Sequence, residues 1–319
     1  MSMPGLFDEI PERRLRLAAR LEELARNNVW VGTSSWKYPG WLGQIYTRER
    51  YLTRGKFSLK KFEATCLAEF GETFLTVCGD FAFYQFPSPE YWAKLFLSSP
   101  ATLNFSFKVP EHITVKTWPG HPRYGQRSGL ENENFLDVGL FEAAFTSVLT
   151  PYRARVGVLI FEFGTFSKGQ FAGVQEFVEK LDPFLASLPR GWRYAVEIRN
   201  AEYLVPEYLD CLRRHGVAHV YSSWTRMPEL GSQLALQETQ TADFAVARAL
   251  LRPGRTYEQA VQMFAPYAKV REPYESLRES LRELVRHGLI SRKGVFVYLN
   301  NRLEGNALGT IEAILGLDG

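Results

Sequence analysis

Cysteine is scarce in this sequence, and so are long apolar runs. Only three cysteines occur in 319 residues, and their odd number and wide spacing (Cys66, Cys78 and Cys211) favour free thiols in a reducing compartment over a disulfide framework. No apolar stretch approaches the roughly 20 residues of a membrane-spanning helix. Charged residues near the N-terminus stand where a signal peptide would have its apolar core. We therefore expect a cytoplasmic protein that has no membrane partner.

Several motifs of cofactor and metal sites are also missing. The chain has no G-x-G-x-x-G after its first predicted strand, no phosphate loop of the form G-x-x-x-x-G-K-[ST], and no H-E-x-x-H or C-x-x-C. Among the five histidines, His215 and His219 are four residues apart, but Gly216 marks the end of a helix between them. Their side chains should therefore diverge, and we expect no cofactor and no tightly bound catalytic metal.

The composition is that of a soluble globular protein. The chain is 45% hydrophobic and 23% charged, with a net charge of +3 and a pI of about 8.6. A basic excess of this size does not by itself indicate nucleic-acid binding. The length suits one large domain or two smaller ones, and no repeat or low-complexity tract divides the chain.

Apolar runs that alternate with amphipathic segments predict a repeating order of strands and helices. A helix is expected over Pro11–Arg26, and eight predicted strands follow it, nearly all succeeded by helices. Residues 227–242, after the sixth strand, show no clear helical period. The strands are continuously apolar, as expected for parallel strands covered by helices. They are Val29–Ser34, Thr73–Gly79, Leu103–Val109, Val156–Phe163, Tyr194–Arg199, Val217–Ser223, Phe244–Leu250 and Gly294–Asn300.

Two architectures are compatible with this order, namely a (β/α)₈ barrel of the TIM type and a doubly wound open sheet. The missing glycine-rich phosphate motifs argue against the open sheet. We therefore predict an α/β fold with a single TIM-barrel-like domain over residues 29–319. An N-terminal helical extension over residues 1–28 would precede it, and its sixth helix would be poorly defined.

Polar, charged or aromatic residues stand at the carboxyl end of nearly every predicted strand. In a (β/α)₈ barrel these ends meet on one face, which carries the active site. Any one of these residues could instead cap a helix, pack against a neighbour or belong to an ion-pair network. However, desolvation of so many charged groups on one rim is unfavourable unless they pair with each other or bind a ligand. We expect a pocket lined by Thr33, Ser34, Trp36, Tyr38, Trp41, Asp80, Tyr84, Lys108, Glu162, Glu197, Arg199, Arg248, Asn300 and Asn301.

These residue types favour an anion-binding site with acid/base chemistry. Arg199, Arg248 and Lys108 could clamp a phosphate or a carboxylate. Glu197 or Glu162 could transfer protons if burial raises its pKa. We therefore take Glu197, Glu162 and Lys108 as candidate catalytic residues and the remaining residues of the pocket as candidate substrate-binding residues.

A long segment after the third strand is rich in glycine, proline and basic residues. It covers Trp118–Gly129 and is expected to form a mobile flap that presents Arg123, Tyr124 and Arg127. Such a flap could close over a small ligand or lie across a phosphate backbone.

Three functions fit these residues. We favour an enzyme that acts on a small anionic, phosphate-bearing or otherwise acidic substrate. The second is a nucleic-acid-binding protein that uses the basic flap and the aromatic rim. The third is a carbohydrate hydrolase in which Glu162 and Glu197 are the paired carboxylates, and their separation would distinguish retaining from inverting chemistry.

Six short motifs occur in the order in which a known family has them. They are GTSSWKYPGW from Gly32, VCGDFAFYQFP from Val77, FSFKVPEHIT from Phe105, VEIRN from Val196, TADFAVAR from Thr241 and VYLNNRLEGNA from Val297. From about Val29 to Leu315 the sequence resembles the YecE-like proteins of domain-of-unknown-function family 72. The resemblance implies a TIM-barrel-like fold, but it implies no activity, because the family has no established reaction to carry over.

At five positions the sequence departs from the pattern of the family that it resembles. Cys78 stands in place of a glutamate, Asp80 of an asparagine, Glu162 of a glutamine, Asn200 of a histidine and Ser35 of a glycine. If the family glutamate and histidine carry chemistry, this chain would have changed or lost it. Cys78 could act as a nucleophile, but a cysteine on an apolar strand is more often a small buried apolar side chain.

Overall fold

Eight parallel strands close into a barrel. The computed structural model describes residues 9–317. Its strands are β1 (Val29–Thr33), β2 (Leu52–Thr53), β3 (Lys56–Phe57), β4 (Thr76–Gly79), β5 (Asn104–Lys108), β6 (Val156–Glu162), β7 (Tyr194–Glu197), β8 (Ala218–Ser223), β9 (Phe244–Ala249) and β10 (Gly294–Leu299). β2 and β3 form a small antiparallel ribbon, and the others form the closed barrel in the order β1-β10-β9-β8-β7-β6-β5-β4. The predicted (β/α)₈ architecture is confirmed.

Helices cover the outside of the barrel. They are α1 (Glu9–Arg26), α2 (Leu59–Phe70), α3 (Pro89–Leu97), α4 (Glu111–Thr114), α5 (Val138–Phe141), α6 (Ser147–Leu149), α7 (Val174–Ala186), α8 (Pro206–Arg214), α9 (Leu230–Ala235), α10 (Tyr257–Phe264), α11 (Glu275–Ser291) and α12 (Ala307–Leu315). The sixth helix is poorly defined as predicted, because α9 has only six residues before a 3₁₀ turn at Gln237–Thr239. Among the described residues, no helix is both long enough and apolar enough to span a membrane.

The N-terminal helix packs against the barrel. Leu17, Leu21 and Leu24 of α1 are buried, as their spacing predicts. The Arg14 guanidinium donates to Glu69 at 3.2 Å and to Glu72 at 2.8 Å, which ties α1 to the end of α2 and the residues after it. The predicted extension over residues 1–28 begins outside the described residues, and the boundary at residue 28 stays a prediction.

The helical segment between β5 and β6 is irregular. It is divided into α5, a π-helical segment at Glu142–Thr146, α6 and a 3₁₀ segment at Thr150–Arg155. Pro151 limits the last α-helical turn, since proline lacks the amide hydrogen that an α-helix needs. After β7, a 3₁₀ turn at Ala201–Tyr203 precedes α8, which begins at Pro206.

The strand alternation divides the buried side chains into two sets. Successive side chains of a strand point to opposite faces. In β6 this places Val158 and Ile160 in the barrel interior, whereas Leu159 and Phe161 join the layer between the barrel and its helices. The last inward-pointing residue of a strand therefore lies at the carboxyl-terminal mouth of the barrel. In β6 this residue is Glu162.

Close contacts between strands require small side chains in the wall. Gly32 of β1 faces the Thr76 carbonyl of β4, and a Cβ atom added at Gly32 would lie 2.2 Å from that oxygen. The interior also holds a polar bridge, in which the Tyr298 hydroxyl lies 2.6 Å from Ser106 Oγ and 3.1 Å from Thr76 Oγ1. The glycine of the first motif therefore has a packing role in barrel closure.

Candidate functional site

A cavity of about 510 Å³ opens at the carboxyl ends of the barrel strands. Its position is that of the active site in barrels of this class. Ten of the residues predicted for the pocket line its wall. They are Ser34, Trp36, Tyr38, Asp80, Tyr84, Lys108, Glu162, Arg199, Arg248 and Asn300.

Glu197 forms the base of an ion cluster under this cavity. The ion cluster comprises the side chains of Asp80, Lys108, Glu162, Glu197, Arg199 and Arg248. The Glu197 carboxylate has no exposed surface. It accepts hydrogen bonds from Ser222 Oγ at 2.8 Å and pairs with Arg199 Nη2 at 2.7 Å and with the Arg248 guanidinium. Each of the two oxygens of this buried carboxylate therefore has at least one donor, as a buried charge requires.

Glu162 lies above Glu197 and pairs with three cations. Its carboxylate is 3.1 Å from Lys108 Nζ, 3.0 Å from Arg199 Nη2 and 2.6 Å from Arg248 Nη1. Burial alone would raise the pKa of Glu162, but the three cations outweigh burial and hold that pKa well below its usual range. Glu162 is therefore anionic at neutral pH and cannot act as a general acid.

Asp80 is the solvent-facing carboxylate of the ion cluster. Its side chain is 45% exposed, and its Oδ1 lies 3.4 Å from Arg248 Nη2 and 3.8 Å from Lys108 Nζ. The Lys108 ammonium also lies 3.5 Å from the centre of the Phe83 ring, which is a cation–π contact. A ligand in the cavity would meet Asp80 before it met the two glutamates.

Arg199 is fixed on two sides before any ligand arrives. It pairs with Glu162 and with Glu197, so two carboxylates hold its guanidinium. Its guanidinium carbon lies 3.9 Å from the centre of the Trp224 ring. The second terminal nitrogen, Nη1, is buried and has no hydrogen-bond partner among the described residues. Arg199 thus lines the cavity and has one buried donor without a partner among these residues.

Comparison with known families identifies the chain. The family model described as "Protein of unknown function DUF72" matches residues 30–317. The chain belongs to the DUF72 family. The resemblance found in the six motifs is thereby confirmed. A search of curated protein sequences finds no significant match.

Solved structures of DUF72 proteins share the fold. A DUF72 family protein of Thermotoga maritima is 22% identical, with a TM-score of 0.57, over 91% of this chain and 97% of that one. A DUF72 family protein of Enterococcus faecalis is 17% identical, also with a TM-score of 0.57, over 91% of this chain and 95% of that one. At such identities the likeness shows the fold alone.

In this DUF72 barrel, four predicted pocket residues do not line the cavity. Glu197 is the base of the ion cluster, and the other three belong to its surroundings. Thr33 Oγ1 donates to the Ser35 carbonyl at 2.7 Å. Trp41 Nε1 donates to Asn301 Oδ1 at 3.3 Å, and both residues are buried. Ser34 and Asn300 line the cavity, and Thr33 and Asn301 are their immediate neighbours in the chain. Because neighbouring side chains point to opposite faces, the side chains of Thr33 and Asn301 point away from the cavity.

The flap contacts the rim of the pocket through one residue. The Arg123 guanidinium carbon lies 4.0 Å from the centre of the Tyr84 ring, and Tyr84 lines the cavity. Tyr124 points inward, and its hydroxyl donates to the buried Glu111 at 2.8 Å. Arg127 lies 4.5 Å from the centre of the Trp118 ring. The mobility of the flap stays a prediction, although Tyr124 anchors its middle.

Several residues of the DUF72 pocket were not among the predicted pocket residues. They are Ser35, Lys37, Phe81, Phe83, Tyr91, Trp224, Leu250, Tyr257 and Arg302. Trp224 directly follows β8, and this position at a strand end was the signal for including it. Lys37 and Arg302 lie in loops, where no periodicity indicates the direction of a side chain. Of the described residues, the cluster best suited to a metal ion, Asp182 with Cys211 and His215, lies in the helical layer and not in this pocket.

Two of the residues that depart from the family pattern, Cys78 and Asn200, are buried outside the cavity. Cys78 is fully buried among the interior apolar side chains, and burial raises the pKa of its thiol to about 12. Asn200 is also buried, and its side chain accepts from the Phe166 amide at 2.7 Å and donates to the Phe166 carbonyl at 3.1 Å. Asn200 therefore fixes the loop after β6, and neither residue lines the cavity.

We predict that native protein resists thiol alkylation. All three cysteines are buried, and burial raises the pKa of each thiol to about 12, so little reactive thiolate exists at neutral pH. Iodoacetamide followed by mass spectrometry should leave Cys66, Cys78 and Cys211 unmodified in the native state and modify all three in denaturant. Rapid native modification of Cys78 would restore the nucleophile hypothesis.

Proposed function

We propose that the pocket binds a small phosphate-bearing or carboxylate-bearing molecule and is the active site of an enzyme that acts on it. The observation that supports this proposal is the charge of the wall. Five cationic side chains line the cavity against two carboxylates. Even with the buried Glu197 beneath, positive charge exceeds negative charge, which favours an anionic ligand.

Two of these cations are not neutralised by the ion cluster. Lys37 and Arg302 lie at the rim, and no carboxylate of the described chain forms a salt bridge with either. Lys37 is near the Trp36 ring at 5.9 Å, and the guanidinium carbon of Arg302 is 4.5 Å from the Tyr257 ring centre. They would provide the first electrostatic attraction for an incoming anion, before it reaches Lys108 and Arg199.

The rest of the wall is rich in aromatic rings. They are Trp36, Tyr38, Phe81, Phe83, Tyr84, Tyr91, Trp224 and Tyr257. Ligand sites commonly combine such apolar walls with a few placed polar groups. The proposed substrate therefore has an apolar or flat portion in addition to its anionic group.

The proposed chemistry is electrostatic stabilisation by fixed cations. Lys108 and Arg199 would stabilise negative charge on the substrate, because prepositioned charges are most effective in a shielded site. Glu162 and Glu197 would hold these cations in place, which replaces the proton-transfer roles first considered for them. Asp80 would be the proton acceptor, since it is the carboxylate of the ion cluster that a ligand reaches most easily.

The geometry does not favour a carbohydrate hydrolase. Glu162 and Glu197 share Arg199 Nη2, so the two carboxylates are close, as in a retaining pair. However, Glu197 has no exposed surface and cannot reach a sugar. The depressed pKa of Glu162 is also the reverse of what a general acid needs.

Nucleic-acid binding is the second candidate function. The supporting observation is that Arg123 and Arg127 of the flap are each stacked on an aromatic ring, and that Tyr84, the ring beside Arg123, lines the cavity. Binding of a single-stranded oligonucleotide would then weaken steeply with added salt. Absence of oligonucleotide binding at low salt would remove this candidate.

We predict that inorganic phosphate binds the pocket and that Lys108→Gln weakens this binding. A charge-assisted hydrogen bond contributes about 1.5–3 kcal/mol, so the dissociation constant should rise roughly 10- to 100-fold. Isothermal titration calorimetry at low salt measures it. Lys60→Gln, on the exposed side of α2, is the matched control and should bind like the parent. If Lys108→Gln and Lys60→Gln bind phosphate equally, the pocket is not the anion site.

A further inference from the structure

Three different metal-binding side chains meet in the helical layer, outside the pocket. Asp182 lies on α7, Cys211 lies on α8, and His215 directly follows the last residue of α8. Their potential ligand atoms all lie within 4.8 Å of one another. Residues four apart on a helix share a face, so Cys211 and His215 both project toward α7.

The contacts in this group already resemble those around a metal ion. Asp182 Oδ1 is 2.8 Å from His215 Nε2 and 3.6 Å from Cys211 Sγ. Zinc binds sulfur at about 2.3 Å and nitrogen or oxygen at about 2.0–2.2 Å, so neighbouring ligand atoms of a tetrahedral site lie roughly 3–4 Å apart. Small side-chain rotations would therefore make room for an ion between the three.

We propose that Asp182, Cys211 and His215 bind a zinc ion that fastens α7 to α8. A thiolate with an imidazole selects a borderline-soft ion such as zinc over magnesium or calcium, which prefer oxygen ligands. The Cys211 thiol releases its proton to solvent as the sulfur–zinc bond forms. Three protein ligands leave one position for water. The side chains of Asp182 and His215 are 40% and 19% exposed, which gives the ion a path of entry.

Arg214 competes with the ion. Its Nη2 donates to the same Asp182 Oδ1 at 2.8 Å, and its side chain is 55% exposed. An exposed arginine in a surface ion pair is held weakly, so it can turn into solvent when zinc binds. Because the guanidinium repels a cation and occupies one of its ligands, Arg214→Ala should tighten zinc binding. If Arg214 and Asp182 formed only a structural ion pair, Arg214→Ala would not tighten zinc binding.

The test uses cobalt as a coloured substitute for zinc. Untagged full-length protein, freed of metal by a chelator, is titrated with Co²⁺ and then with Zn²⁺. We expect one equivalent of Co²⁺ to give a thiolate-to-cobalt charge-transfer band that Zn²⁺ removes, and Zn²⁺ to raise the melting temperature. Cys211→Ser should abolish the band. Cys66→Ser is the matched control, since Cys66 is equally buried on a helix of the same layer, and it should keep the band.

A second pair of variants keeps the proposal falsifiable if Cys211→Ser does not fold. His215→Ala should weaken Co²⁺ binding at least about tenfold, and Arg214→Ala should strengthen it. The proposal is overturned if the parent gives no charge-transfer band, if the band survives His215→Ala with unchanged affinity, or if Arg214→Ala weakens Co²⁺ binding.

Discussion

Arg248→Ala is expected to lower the free energy of unfolding by about 3–5 kcal/mol, the typical effect of breaking a buried ion pair by removing one partner. The Arg248 side chain is buried and pairs with Asp80, Glu162 and Glu197. Its removal would leave two carboxylates under the pocket with fewer cations than they need. Urea unfolding followed by tryptophan fluorescence measures the change.

An exposed arginine provides the matched control for this variant. Arg213 pairs with Asp210 on the surface of α8, and its side chain is 42% exposed. Arg213→Ala should therefore change the free energy of unfolding by only about 0–1 kcal/mol. The double variant Arg248→Ala with Glu197→Ala should lower the free energy of unfolding by less than the sum of the two single variants. Each substitution removes the charge that the other substitution would leave unpaired. Equal losses for Arg248→Ala and Arg213→Ala would mean that the ion cluster does not stabilise the fold.

Arg199→Ala should weaken ligand binding strongly. It removes a guanidinium that lines the cavity, is oriented by Glu162 and Glu197, and has an unpartnered donor. We expect phosphate binding at low salt to weaken roughly 10- to 100-fold, as for the loss of a charge-assisted hydrogen bond. Calorimetric titration with inorganic phosphate gives the comparison with the parent.

Arg199→Lys separates charge from geometry. Lysine restores the charge toward the two glutamates but not the planar fork or its stacking on Trp224. It should therefore recover most of the stability that Arg199→Ala loses while phosphate binding stays weak. Phosphate binding by Arg199→Ala that matches the parent would exclude the anion-pocket proposal, and the function would then be sought on the outer surface.

The arrangement of the ion cluster could be predicted because it follows from regular structure. Strand order and alternation suffice to bring Glu162, Arg199 and Arg248 to one end of the barrel although they are far apart in the chain. The alternation also explains the errors. Thr33 and Asn301 are each one residue out of phase with the side chains that point into the barrel. Their position near a strand end does not show this, because neighbouring residues of a strand point to opposite faces.

Other features could not be predicted, because they depend on tertiary contacts. Glu162 and Glu197 are register partners on β6 and β7, so the full burial of Glu197 alone depends on the side chains that surround it. Lys37 and Arg302 lie on loops without periodicity. The meeting of Asp182 with His215 depends on how α7 packs against α8, because the two residues lie on different elements and are 33 residues apart in the chain.

The pairing of β1 with β10 bears on how this chain can fold during synthesis. The two strands are hydrogen-bonded over five residue pairs, from Val29 with Val295 to Thr33 with Leu299. Until the ribosome has released residue 299, the sheet has two open edges, and open edges are sites of aggregation. Contacts between residues this far apart also slow folding. Nascent chains of this protein therefore stay exposed to aggregation until β10 has emerged from the ribosome, and chaperones that cover strand edges would assist them most before that point.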